Sequence, residues 1–227
     1  MLFKSQLVTQ VSGSIGGLTG SHNAGGMYFR ARAIPTDPNS PQQFAMRQIV
    51  SNLANLWRNV LTEGQRALWD FYAANVPLLS PLGDLRTVSG FNMYIRSNSP
   101  RDQQGLTRQD DAPLIFNTGE FQAPAYALDE PNDEVDVTFD NTDEWANETG
   151  SALLIFASRP TDPTINYWTT PYRLAGAVLG DTTTPPTSPA AIALPFPVGA
   201  GQRIFFRCEV TRADGRLSST FRDRADA

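Results

Sequence analysis

The chain has 227 residues, enough for one or two domains, with 41% apolar residues and a formal net charge of −5. No run approaches the roughly 20 apolar residues of a membrane-spanning helix, and Lys4, Gln6, Thr9 and Gln10 break up residues 1–11, which therefore do not read as a signal peptide. Cys208 is the only cysteine and His22 the only histidine, which rules out an internal disulfide framework and a Cys/His zinc cluster.

Charge is divided unevenly along the chain. Residues 1–108 hold ten basic and five acidic side chains, residues 109–227 eight and eighteen, and only Lys4 among the basic ones is a lysine. Such asymmetry favours head-to-tail association of copies or attachment of the basic end to an acidic partner.

In chain order, residues 1–11 offer a short apolar anchor of Leu2, Phe3, Leu7, Val8 and Val11. Residues 12–26 carry six glycines and no charge. Their spacing matches neither a dinucleotide-binding nor a P-loop pattern. Glycine loses the most backbone entropy on ordering, so this stretch is expected as an extended arm held by something else. Met27–Ile34 alternates Tyr28, Arg30 and Arg32 with Phe29, Ala31 and Ala33, a strand with one basic face. Pairing to the edge of another sheet explains that face better than nucleic-acid binding does in an acidic chain. Pro35, Pro38 and Pro41 keep the next stretch extended.

Residues 39–76 read as two amphipathic helices. Ser40 and Gln43 form a capping box around Pro41, and Met46, Ile49, Val50, Leu53, Leu56, Trp57 and Val60 recur at helical steps. Thr62 and Gln65 repeat the box; Leu68, Trp69, Tyr72 and Val76 supply the second face, and Pro77 ends it. The joint is short enough for antiparallel neighbours, with Trp57 and Trp69 near its closed end. A chain under about 40 residues rarely folds alone without a staple, so this hairpin needs cover, from its own chain or from another. Ser89 can cap a short third helix carrying Phe91, Tyr94 and Ile95, after a proline- and glycine-bearing loop over 77–88.

The sequence GGMYFRARAIPTDPNSPQQ, a following tryptophan, LTEGQRALWDFYA and SGFNMYIRSN together resemble a family of uncharacterised proteins of tailed bacteriophages and prophages, over roughly residues 12–98. The resemblance implies a virion structural role and supplies no residue roles.

Residues 99–134 are polar and proline-bearing, a surface connector with short strands near Leu114–Phe116 and Phe121–Leu128 at most. From Val135 the period becomes two. Val135–Phe139, Ala152–Ala157, Tyr172–Leu179, Ala191–Val198, Gln202–Thr211 and Leu217–Arg222 are strand candidates, the last two joined by an Asp214-Gly215 turn. Short strands at this density predict a β-sandwich of immunoglobulin or fibronectin type over 135–227. The fold class is thus α+β: an extended arm over 1–38, a helical hairpin plus short third helix over 39–98, a connector over 99–134, then the sandwich.

No catalytic residue, metal site or cofactor is predicted. His22 has no framed nucleophile, Cys208 sits within a strand as a packed small side chain, and the acidic run Asp129, Glu130, Asp133, Glu134 and Asp136 lacks Ca²⁺-loop spacing. The expected assembly interface is Tyr28, Phe29, Arg30, Arg32, Trp57, Trp69 and Tyr72. Trp145, Tyr167 and Trp168 form a candidate glycan platform, or else belong to the core. The leading expectation is a non-enzymatic virion protein, a capsid decoration (cement) protein or a head–tail or tail connector. Its partners would be copies of itself and other virion proteins, with no nucleic acid or membrane, and assembly would take place in the host cytoplasm. The alternative is a host-glycan-binding sandwich tethered to a particle or cell surface.

Overall fold

The computed structural model describes residues 2–3, 13–23, 26–34, 36–37, 39–79, 85–117 and 119–227. Leu7, Val8 and Val11 of the expected anchor, Pro35, Pro38 and residues 80–84 of the expected loop lie outside that set. The fold is mixed α+β, with three helices and several antiparallel sheets among the described residues. It divides into two compact units, Met1–Phe44 and Ala45–Ala227.

In the first unit, β1 (Leu2–Phe3), β2 (Gly13–Ile15), β3 (Leu18–Asn23) and β4 (Gly26–Ala31) form one antiparallel sheet in the order β1-β4-β3-β2. Residues 13–23, expected to run extended, therefore fold back. Gly16, with φ 57°, adopts the left-handed turn that lets Ile15 pair with Leu18, a conformation glycine reaches without steric cost. Of the basic strand expected at Met27–Ile34, β4 covers the part up to Ala31, with Tyr28 opposite Ser21 and Arg30 opposite Thr19, and Arg32 lies beyond its end.

The second unit begins within α1 (Pro41–Asn59), followed by α2 (Glu63–Asn75), a two-residue β-pairing of β5 (Leu78–Leu79) with β6 (Leu85–Arg86), and α3 (Gly90–Gln103). Both predicted capping boxes are present. Ser40 and Gln43 exchange bonds of 3.2 and 3.4 Å, and Thr62 and Gln65 bonds of 2.9 and 3.2 Å. Ser89 caps α3 by accepting from the Asn92 amide at 3.3 Å. Leu53, Leu61, Trp69, Tyr72, Ala73, Met93, Tyr94 and Ala112 make the helical core. Leu68, predicted on the buried face of α2, is exposed instead; Ala73 takes its place. The closest packing is between α2 and α3, where a β-carbon on Gly90 would lie 2.5 Å from the Asp70 backbone nitrogen. Gly90 uses that proximity to donate to the Asp70 carboxylate at 2.9 Å.

The remaining strands are β7 (Ala125–Asp129), β8 (Glu134–Thr138), β9 (Ala152–Ala157), β10 (Arg173–Leu179), β11 (Ala190–Ala193), β12 (Arg203–Thr211) and β13 (Phe221–Asp226). They build a three-stranded sheet, β11-β8-β7, and a four-stranded sheet, β10-β9-β12-β13. One core holds side chains of both: Val135, Val137 and Ile192 with Leu153, Ile155, Ile204, Phe206, Cys208 and Val210. Tyr126 stacks on Phe206 at 4.4 Å. The connector read over 99–134 thus contributes a strand to this core, whereas Leu114–Phe116 forms none and is exposed. The strand expected at Leu217–Arg222 lies further on. Leu217 bridges Thr211, but Phe221 pairs with Cys208, a one-residue offset at which the ladder restarts.

Helices and sheets of this unit meet at the turn after β12. Arg96 donates to the Leu217 and Ser218 carbonyls at 3.4 and 3.1 Å. Arg101 is 1% exposed and donates to the carbonyls of Thr107 (2.8 Å), Arg212 (2.7 Å) and Gly150 (3.2 Å) and to the Thr211 hydroxyl (3.1 Å). Arg216 reaches the Asn117 carbonyl. The helical hairpin, which the sequence left in need of cover, finds it on α3 and this turn.

Candidate ligand site on the four-stranded sheet

Strand alternation sorts β12 into two faces. Ile204, Phe206, Cys208 and Val210 point into the core, so Arg203, Phe205, Arg207 and Glu209 lie on the outer face. Register places Asp226 beside Arg203, Arg224 beside Phe205 and Arg222 beside Arg207. Next to these residues the 166–172 loop brings up Asn166, Tyr167, Trp168 and Tyr172, enclosing with Phe205, Arg222, Asp223 and Arg224 a depression of about 360 Å³. That is within the range of about 300–1,000 Å³ usual for ligand pockets.

The loop is fixed from below. Arg203 holds Asp226 through two bonds of 2.5 and 2.7 Å and donates to the Ile165 carbonyl and the Asn166 side-chain oxygen, each at 3.0 Å. Trp168 lies nearly parallel to Phe205, centroids 6.4 Å apart, and its indole N–H donates to the Pro171 carbonyl at 3.1 Å. Tyr172 donates to the Trp168 carbonyl at 3.4 Å, and its burial raises its pKa. Tyr167 is 71% exposed.

Two of the three residues expected as a glycan platform, Tyr167 and Trp168, thus line one depression. Trp145 does not: it is buried against Phe139 at 5.2 Å and donates to the Asp143 carboxylate at 3.2 Å, because the short turns of residues 141–150 fold its ring into the core. The residues not foreseen are Asn166, Tyr172, Phe205, Arg222, Asp223 and Arg224. Alternation in FRDRAD puts Arg222 and Arg224 on one face, a signal visible in the sequence.

The expected interface residues separate. Tyr28 and Phe29 are half-buried, and Arg30 and Arg32 are exposed. Trp57 is half-buried, edge-on to Phe91 at 5.7 Å. Trp69 and Tyr72 are corrected: both are buried, with rings 5.9 Å apart, inside the helical core of their own chain, because α3 covers that face of α2. In their stead Leu68, Phe71, Leu114, Ile115 and Phe116 form the exposed apolar surface of this region, Phe71 and Phe116 touching at 5.8 Å.

The side chain of His22 lies outside the described residues. Asp133 turns with φ 53° and its carboxylate accepts from the Val198 amide at 2.7 Å. Among the described residues no group of three or more His, Cys, Asp or Glu converges on a metal position, and no helix is long and apolar enough to cross a membrane. Cys208 is buried, and burial pushes its thiol up to about 11. It should therefore stay protonated at pH 8, and a thiol-exchange reagent should label it at least about a hundredfold more slowly in the native protein than in denaturant. Comparable rates would mean that the β12 core opens readily.

Comparison with protein-family models, curated proteins and solved structures gives no match for this chain.

Proposed function

We propose that the chain is a non-enzymatic structural subunit of a tailed-phage virion, of the family it resembles over roughly residues 12–98. It assembles in multiple copies, as a decoration protein or a connector. The observation that carries this reading is the N-terminal sheet, a four-stranded antiparallel ladder in the order β1-β4-β3-β2 on which the apolar side chains Ile15 and Leu18 stand exposed. Ile15 and Ile34 are 88% and 78% exposed. A small sheet that leaves apolar side chains exposed gains stability from what it is laid against, and neighbouring subunits in a particle are such a surface. In this reading residues 1–38 act as the docking arm, and the two sheets sharing one core act as an outward sandwich of immunoglobulin or fibronectin type. The exposed apolar surface of Leu68, Phe71 and Leu114–Phe116 adds a second contact area of the kind that marks interaction sites.

Deletion of residues 1–38 keeps the Ser40 cap. The truncated protein should show the same thermal transition for its second unit while its incorporation into purified particles falls to background. Undiminished incorporation of the truncated protein, or absence of the full chain from particles, refutes the proposal.

A second reading, a host-glycan-binding module on the same particle, is favoured by the convergence of Tyr167, Trp168 and Tyr172 on one depression. Apolar sugar faces stack on such rings, and their hydroxyls bond to planar polar groups such as the Asn166 amide.

A further inference from the structure

We propose that the depression bordered by Trp168 and β13 binds an acidic saccharide. Its ring would stack on the Tyr167–Trp168 surface and its carboxylate or phosphate would lie between Arg222 and Arg224. The inference rests on the glycan-binding reading and adds the sign of the ligand's charge.

The argument comes from the pairing of like charges. Arg222 stands directly across from Arg207, and Arg224 is one step further along the same face. Like charges placed opposite each other on a sheet are destabilising. The neighbouring pair shows the usual remedy, Arg203 being neutralised by Asp226. Neither the Arg222 nor the Arg207 side chain has an ion pair or hydrogen bond among the described residues. Arg224 has a 3.3 Å bond to the neutral Asn166 amide oxygen and one from its backbone to Asp223. Arg207 lies over the ring of Phe156 at 4.0 Å, and its Nε–H is buried without a partner.

The carboxylates nearby bond to neither the Arg222 nor the Arg224 side chain; Asp226, held by Arg203, acts on Arg224 only through space. Asp223 also lines the depression, but it pairs with Phe206 rather than with the arginines' row, and its carboxylate accepts from the Arg224 backbone N–H at 2.8 Å, not from a guanidinium. Glu209, beyond Arg207, accepts from the Thr220 hydroxyl at 2.6 Å. The outer face beside Trp168 therefore presents guanidinium forks suited to a carboxylate or phosphate, next to aromatic rings suited to a sugar face.

The test is a glycan array probed with the full-length protein, carrying neutral, carboxylated and phosphorylated glycans on matched backbones, with oligothymidylate as a non-sugar polyanion. Binding should be confined to anionic glycans. Whether the carboxylated or the phosphorylated members respond identifies the source of the charge. The Arg222→Gln/Arg224→Gln variant changes only exposed side chains, and it should lose at least about tenfold in affinity, the weight of one good charged contact. Trp168→Ala should lose binding to every glycan. Equal binding of neutral glycans, unaffected by the double substitution, overturns the acidic assignment and leaves the glycan reading standing. Binding to no glycan overturns both, and preference for oligothymidylate replaces both with a single-strand nucleic-acid site.

Discussion

Arg101→Ala is expected to destabilise the second unit by about 3–4 kcal/mol, the scale of losing a buried charged hydrogen-bond network. The guanidinium is almost fully enclosed, burial lowers its pKa, and it has no carboxylate among its bonded partners. Its bonds go to three carbonyls and a hydroxyl drawn from α3's end, the 150 turn and β12's end. Truncation would leave those acceptors orphaned in a closed space that also lacks the side chain's volume. Arg101→Lys keeps the charge but not the planar fork, so it should recover only part of the loss. Urea denaturation followed by circular dichroism measures both. A loss under 1 kcal/mol for the alanine variant would show that the seam does not depend on this residue.

Trp69→Ala is expected to cost about 3–5 kcal/mol, as for other large aromatic truncations in cores. The ring is 0% exposed, meets Tyr94 at 5.5 Å, and donates to the Asp110 carbonyl at 2.9 Å. The loss should be the same at every protein concentration, because the ring is buried within one subunit. A tryptophan anchoring an interface would behave differently: the monomer would keep its midpoint and only assembly would weaken. Midpoints measured over a hundredfold concentration range separate the two outcomes.

What the sequence allowed to be read was local. The two capping boxes and the Asp214-Gly215 turn rest on interactions within a few residues, the run Ala152–Ala157 on an uninterrupted apolar pattern, and each is where its pattern places it. The cover for the helical hairpin was hidden because α3 buries Ser97, Asn98 and Arg101 beside Met93 and Tyr94. Half of that face is polar, so it carries little hydrophobic periodicity, and Arg101 on it bonds to the Gly150 and Arg212 carbonyls far along the chain. Trp145 was hidden for a related reason, sitting among Asn, Asp, Glu and Thr that form turns around it. At the candidate site the aromatic pair Tyr167–Trp168 is contiguous and stood out. That Arg222 faces Arg207 depends on the one-residue offset before β13, which no short pattern encodes.

The arginines that fasten α3 have their acceptors far downstream. Arg96 bonds 121 and 122 residues ahead of itself, and Arg101 reaches 110 and 111. During synthesis at about 5–20 residues per second, the helices leave the ribosome many seconds before the carbonyls that hold them exist. They wait with those guanidinium groups hydrated. The end of β12 and the turn after it therefore complete the housing of helices translated more than a hundred residues earlier, and a polypeptide halted short of β12's end has its helices without those carbonyls.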